Sequence, residues 1–150
     1  MTEFTIADAA LGDVPPRLLY ELLALRVDVF VVEQNCPYRE LDGRDLEPGA
    51  RLVWVTRDEK VVATLRILDE ERGVIRIGRV ATAPEARGRG LGALMIRRAL
   101  ELAGDRSVVL SAQAHLADWY SQFGFLRDGD EYVEDGIVHT SMRLNVVRSA

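Results

Sequence analysis

At 150 residues the chain has one domain's worth of length, and folding at that size removes about 68–70% of the unfolded surface from water, enough for a sizeable core. A content of 48% hydrophobic and 29% charged residues excludes a disordered or collagen-like chain. A net charge of −5 has the wrong sign for a protein that coats phosphate backbones, so nucleic acid is not an expected partner.

Cys36 is the single cysteine, and the two histidines, His115 and His139, lie far apart in sequence. No intramolecular disulfide and no zinc-ligand spacing is available, so no metal is expected. The start, Met1-Thr2-Glu3-Phe4-Thr5, has no basic region followed by an apolar stretch, and no long apolar run occurs elsewhere. That pattern predicts a soluble, cytoplasmic protein that does not enter a membrane.

In chain order, a short strand is predicted from Phe4 to Ala7. Asp13 is placed to cap a helix whose early turns hold Pro15 and Pro16, and Leu18, Leu22, Leu25, Val29 and Val32 then recur at helical spacing. The segment 33–49 carries Pro37, Asp42-Gly43 and Pro48-Gly49 and reads as a loop. Arg51 to Arg57 and Val61 to Leu68 form a predicted hairpin, and Gly73 to Thr82 a third strand, giving an antiparallel meander. A second helix spans Gly90 to Ala103, with Leu91, Leu94, Met95 and Leu102 as its apolar face and Gly104-Asp105 as its stop. Ser107 to Ala112 is a predicted buried strand, Leu116 to Phe123 a short third helix, and a final hairpin turns at Asp135-Gly136. With no repeat and no linker, residues 1–150 read as a single mixed α/β domain around one central sheet.

The sharpest local feature is Arg87-Gly88-Arg89-Gly90-Leu91-Gly92, between a strand and an amphipathic helix. Glycines let the backbone approach a ligand closely, and a helix N-terminus offers unpaired N–H groups and partial positive charge, so this turn suits an anion. Arg76 to Arg98 holds six arginines and one acid, Glu85, which concentrates positive charge there. A plain tight turn with solvated arginines fits the same residues. A P-loop is excluded because no lysine and hydroxyl follow the glycines. A dinucleotide fingerprint fits Gly88, Gly90 and Ala93, but Val108, Val109 and Leu110 stand where a ribose-binding acid belongs.

The strand, the glycine turn with its leading arginine, and the following helix resemble the central motif of the GNAT superfamily of N-acetyltransferases. Ala117-Asp118-Trp119-Tyr120-Ser121-Gln122-Phe123-Gly124-Phe125 is similar to the family's later segment, in which a tyrosine precedes Gly-Phe. Arg26 to Gln34, Cys36-Pro37-Tyr38, Asp42-Gly43-Arg44-Asp45, Ser111 to Leu116, Glu134 to Ile137 and His139 resemble the ElaA-like branch. Val138, Thr140 and Ser141 depart from that branch, which more often has a proline after the isoleucine.

The resemblance implies a GNAT acyl-CoA N-acyltransferase fold, with a mostly antiparallel twisted sheet flanked by helices. It further implies an acetyl-CoA-dependent N-acetyltransferase that moves an acetyl group directly to a primary amine of a small molecule or peptide. Carried over, Val80, Ala81 and Thr82 hold the pantetheine arm, and Arg87, Gly88, Arg89, Gly90, Leu91 and Gly92 wrap the pyrophosphate. Tyr120 is the implied acid that protonates the leaving sulfur, although a core tyrosine beside Trp119 and Phe123 fits the same position. Some members place a glutamate before the glycine turn, where this chain has Gly78 and Arg79. Glu33, Asp42, Asp45, His115, Glu131, Glu134 and His139 therefore remain candidate bases, with Glu33 ranked first. His115 and His139 also fit hydrogen-bonded structural roles, and Cys36 is not an expected nucleophile because most members transfer directly.

The segments 28–47 and 118–135 each hold six acids, against two and one arginines. If they flank the acceptor, their field favours a cationic amine. Family members are often dimers, which leaves a homodimer open without any interface signal in the sequence. A non-catalytic acyl-CoA-binding module with the same fold is the alternative, and a nucleotide-binding Rossmann domain the third reading.

Overall fold

Runs of Val, Leu and Ile between positions 51 and 82 suit a pleated, half-buried surface better than a helix, and they form the centre of the sheet. The structure, a computed structural model, describes residues 3–145. In chain order its main elements are β1 (Phe4–Ala9), α1 (Pro16–Val27), β2 (Arg51–Arg57), β3 (Lys60–Asp69), β4 (Ile75–Thr82), α2 (Leu91–Ala103), β5 (Val108–Gln113), α3 (Ala117–Ser121), β6 (Leu126–Arg127), β7 (Tyr132–Glu134) and β8 (Ile137–Leu144). The strands lie in the order β1-β2-β3-β4-β5-β8-β6, with β7 also on β8. Every pairing is antiparallel except β4 with β5. This is the mixed, mostly antiparallel sheet expected for a GNAT fold. Among the described residues no helix is long and apolar enough to cross a membrane.

The helices bury opposite faces of the sheet. On one side Leu91, Met95, Ile96, Ala99 and Ala103 of α2 pack with Val53, Leu65, Ile77 and Leu110. On the other, Leu22 and Leu25 of α1 pack with Leu52, Trp54, Val61 and Ala81. The predicted face of α2 is thus corrected: Leu94 and Leu102 are 37% and 41% exposed. Their spacing is compatible with a helix, but the stripe that reaches the sheet runs through Leu91, Met95, Ile96, Ala99 and Ala103, which turns Leu94 and Leu102 toward its edges.

The start of α1 also differs from expectation. Asp13 lies in a 3₁₀ turn and caps nothing, and the N-cap is Pro15, which makes no side-chain capping bond. A residue before proline is pushed toward extended backbone; Val14 and Pro15 have ψ of 125° and 137°, so the helix cannot begin before Pro16. At its far end α1 continues as a π-helical turn over Asp28–Glu33. Bonding to i+5 shifts the helical register, and Val32 is accordingly exposed rather than on the buried stripe.

The buried stripe of α1 contains a charge. Arg26 is 1% exposed and donates from Nε to Glu40 at 3.0 Å and from Nη1 to Asp45 at 2.7 Å. Arg66 of β3 donates to Asp42 at 2.8 Å and to Asp45 at 3.4 Å. Arg79 of β4 closes a ring, ion-paired with Glu40 at 2.7 Å and Asp42 at 3.2 Å. Three arginines alternate with three carboxylates, so the ring is neutral and ties the 34–49 loop to α1, β3 and β4. Removing one member strands the rest in a low-dielectric site.

Arg26→Met is therefore expected to lower the unfolding free energy by about 3–5 kcal/mol in urea titrations; a loss under about 1 kcal/mol would mean the ring is not what anchors the loop. Burial raises the Asp42 carboxyl, but hydrogen bonds from Arg66 and the Arg44 N–H and the charges of Arg66 and Arg79 outweigh it, bringing it from 3.8 to about 2. A depressed folded-state value stabilises the fold above the unfolded value and loses that contribution as pH falls from about 4 to about 2. Asp42 is partly exposed, so the contribution after screening is about 1 kcal/mol. Thermal melts of wild type should fall more steeply over that pH range than those of Asp42→Asn, and parallel curves would refute the assignment.

Candidate functional site: a cleft between two parting strands

β4 and β5 run parallel and in register only through Ile75↔Val108, Arg76↔Val109 and Ile77↔Leu110. Beyond Leu110, β5 is still paired with β8 as far as Gln113↔His139, while β4 turns away. The turning point is a β-bulge. Against β3 the register runs Arg66↔Gly78 and then Thr64↔Ala81, so Arg79 and Val80 together oppose Leu65. Arg79 has φ of +53°, a left-handed conformation that costs a non-glycine residue about 1–2 kcal/mol. Bulges bend a strand and end its pairing, and here the bend opens a cleft of about 600 Å³.

One wall of the cleft is the glycine turn. Gly88 and Gly90 have φ of +76° and +75°, angles that favour glycine. Gly90 is the N-cap of α2, and no side chain caps the helix. The Leu94 N–H donates to the Gly90 carbonyl at 3.0 Å, and Leu91, Gly92 and Ala93, whose N–H groups precede that first bond, line the cleft. An uncapped helix start with a partial positive charge is suited to an anion. Nothing in the protein lies within 4 Å of a Cβ added at Gly90, whereas at Gly92 it would meet the Trp119 ring at 3.2 Å. Val80, Ala81, Thr82, Arg87, Gly88, Gly90, Leu91 and Gly92 all line the cleft; the exposed Arg89 lies outside the lining.

Tyr120 stands in the cleft lining from α3 and is 7% exposed. Its ring meets Trp119 edge-on at 4.9 Å and Phe125 at 6.3 Å, so the ring packs in the core as the structural reading expects, while the residue also borders the cleft. Burial pushes its phenol up to about 12, which keeps the proton on through neutral pH.

Glu33 ends the π-helical turn, which brings Val29, Phe30, Glu33 and Gln34 into the lining. Arg87 grips its carboxylate with Nη1 at 2.7 Å and Nη2 at 2.6 Å, while Arg87 Nε donates to the Thr82 carbonyl at 3.0 Å. The Arg87 hydrogen bonds and charge hold the Glu33 carboxyl below the usual range despite slight burial.

Of the other candidate bases, Asp42 and Asp45 belong to the ion ring, and His139 is fixed through Nδ1 to the Ile137 carbonyl at 2.8 Å. His115 is exposed in the cleft lining, rather than a satisfied structural histidine. Glu131 lies 3.9 Å from Arg127, and Glu134 is exposed on β7. Cys36 is buried outside the lining and donates its thiol to the Asp135 carbonyl at 3.4 Å. Among the described residues no group of three His, Cys, Asp or Glu side chains is placed to hold a metal ion.

The expected negative field of segment 28–47 is largely cancelled. Glu33, Glu40, Asp42, Asp45 and Glu47 are all paired with arginines, leaving only Asp28 of its six acids without a partner among the described residues. Counting acids along a sequence cannot see arginines that arrive from β3, β4 and the glycine turn. Sequence reasoning also missed Phe30, Gln34, Gln113, Leu116 and Trp119 as cleft residues; the one available signal for the ion ring was an arginine on the apolar stripe of α1.

A family model described as "Acetyltransferase (GNAT) domain" matches residues 22–146. The chain belongs to the GNAT acetyltransferase family. It is 51% identical over 134 residues to a UPF0039 protein of Mycobacterium tuberculosis, spanning 87% of this chain and 86% of that one. With protein ElaA of Escherichia coli it shares 41% over 137 residues, 87% of this chain and 90% of ElaA. The crystal structure of that ElaA superposes with a TM-score of 0.87 at 37% identity, covering 97% and 100% of the two chains. A crystal structure of an acyl-CoA N-acyltransferase from Pseudomonas aeruginosa superposes with a TM-score of 0.90 at 42% identity, covering 95% and 99%.

Gly90→Asp tests the anion site in this GNAT protein. Aspartate tolerates the left-handed region better than most residues, and a carboxylate at a helix start is stabilising. The variant is expected to melt within a few degrees of wild type while losing all stabilisation by free coenzyme A; retained stabilisation would take the glycine turn out of the site.

Proposed function

We propose that the protein is an acetyl-CoA-dependent N-acetyltransferase that acetylates a primary amine by direct transfer in a ternary complex. The observation that carries this reading is the coincidence, in one cleft, of an uncapped helix N-terminus, a bulged strand parted from its neighbour, and a buried tyrosine that keeps its proton. Family membership supports the acyl-CoA-dependent reaction class. Gly88, Gly90, Leu91 and Gly92 would take the pyrophosphate on main-chain N–H groups, with Arg87 and Arg89 adding charge, and Val80, Ala81 and Thr82 would hold the pantetheine arm.

In the reaction, the neutral amine nitrogen attacks the thioester carbonyl carbon, forming the C–N bond. The C–S bond then breaks, and the departing sulfur takes the phenolic proton of Tyr120. The proton lost by the nitrogen passes to a base and returns through solvent to the phenolate, so one amine and one thioester give one amide and one thiol. Glu33 is the proposed base, acting through water. An Arg87 drawn to the pyrophosphate would release Glu33 and return its carboxyl toward the ordinary range. His115, exposed in the same lining, is the second candidate.

A cationic acceptor remains part of this reading, supported by Asp130, Glu134 and Asp135 of segment 118–135, which are exposed and carry no ion pair among the described residues. A non-catalytic acyl-CoA-binding module is the competing function, and it predicts binding without turnover.

Thermal unfolding with acetyl-CoA, free coenzyme A, NAD or no ligand tests the donor, because a ligand that binds only the folded state raises its stability. Shifts with the coenzyme A compounds alone are expected, and a shift with NAD alone would overturn the reading. In an amine screen, Tyr120→Phe is expected to lower kcat by about 10²-fold or more while leaving coenzyme A affinity within about twofold. Unchanged turnover would remove Tyr120 as the acid.

A further inference from the structure

Three observations meet at Arg79. It is a non-glycine residue at φ +53° inside a strand. With Val80 it forms the bulge that separates β4 from regular pairing on β3. Its guanidinium is held from several directions: Nε lies 2.7 Å from Glu40 Oε1, Nη2 donates to the Glu40 carbonyl at 3.1 Å and to Asp42 Oδ2 at 3.2 Å, and Tyr38 presents its ring at 5.5 Å. Glu40 is itself 3% exposed and fixed by the fully buried Arg26. Arg79 does not line the cleft, whereas its neighbour Val80 does.

We propose that Arg79 is a positioning residue: its side chain, clamped by Glu40 and Asp42, holds β4 in the bulged conformation and so sets where the Val80 backbone stands in the cleft lining, and with it the thioester end of the pantetheine arm. The proposal rests on the acyl-transfer reading of the cleft. Arginine gains nothing locally from a left-handed backbone, so the conformation has to be supported from outside the strand, and the clamp is what supports it. Ala81 packs in the core on the α1 side and Val80 against the core on the α2 side. The bulge lets both cores be satisfied across the register change, since a one-residue slip exchanges the two faces of a strand. Loss of the clamp loosens this point without dissolving either core.

The test compares Arg79→Ala with Arg79→Gly. Alanine removes the clamp and keeps the steric penalty at positive φ, whereas glycine removes the clamp and the penalty together. Arg79→Ala is expected to lower kcat at least about tenfold while KM for acetyl-CoA and the thermal shift by free coenzyme A stay within about twofold. Arg79→Gly is expected to recover kcat to within about threefold of wild type. Equal losses in the two variants, or unchanged kcat in Arg79→Ala, would overturn the proposal.

Crystal structures of the two variants give a readout independent of turnover. Residue 79 should leave the left-handed region in Arg79→Ala and stay there in Arg79→Gly, and an unmoved alanine at φ near +53° refutes the clamp. If wild type acetylates no amine, the functional reading falls, and the crystallographic comparison still decides whether Arg79 holds the bulge. Should Arg79→Ala fail to fold, Asp42→Asn removes one clamping carboxylate and is expected to show the same split, with kcat down about threefold and coenzyme A binding unchanged. A change in binding alone would overturn the assignment.

Discussion

The parting of β4 from β5 is the constraint on which the site depends. Parallel strands ordinarily stay paired along their length, because each unpaired N–H and C=O that is denied water costs free energy. Here three register pairs hold the strands together at one end, and a two-residue bulge turns β4 away at the other. The opening places the end of β4, the uncapped start of α2 and the ring of Tyr120 around one space. None of the three could form the site from its own segment.

Holding that opening requires charge as well as packing. The alternating ring of Arg26, Glu40, Asp45, Arg66, Asp42 and Arg79 brings a loop of little regular structure down onto β3 and β4. Buried ion pairs are a poor source of net stability because desolvation consumes most of their attraction. What they supply in this protein is definition: each arginine has a fixed pair of acceptors, so the loop and the bulge adopt one arrangement relative to α1. The Glu33 and Arg87 pair, with both side chains 43% exposed, is the opposite case. It is screened by solvent and its guanidinium can exchange partners at little cost.

Much of the architecture was legible in the sequence. The order of elements, the meander, the crossover helix and the final hairpin followed from hydrophobic period and turn chemistry, and Asp135-Gly136 is found at the expected turn with positive φ at both residues. The glycine turn was legible because Gly88 and Gly90 sit where L side chains are rarely tolerated. The departures have local causes as well: consecutive prolines impose an extended bias that keeps Asp13 from capping α1, and hydrophobicity alone does not separate Leu94 and Leu102 from the residues that meet the sheet.

The sequence by itself determined the family, the run of strands and helices, and the residues that a glycine turn and a Tyr-to-Gly-Phe motif bring into consideration. Those features depend on neighbours within a few positions, where periodicity, backbone preference and motif spacing act directly. Only the tertiary structure decided that β4 bulges at Arg79, that Arg26 is buried among carboxylates, that the acids of segment 28–47 are spent on arginines, and that His115 enters the cleft. Each of these depends on contacts between segments far apart in the chain, and a charge or a strand has no preferred partner until the fold has brought one within reach.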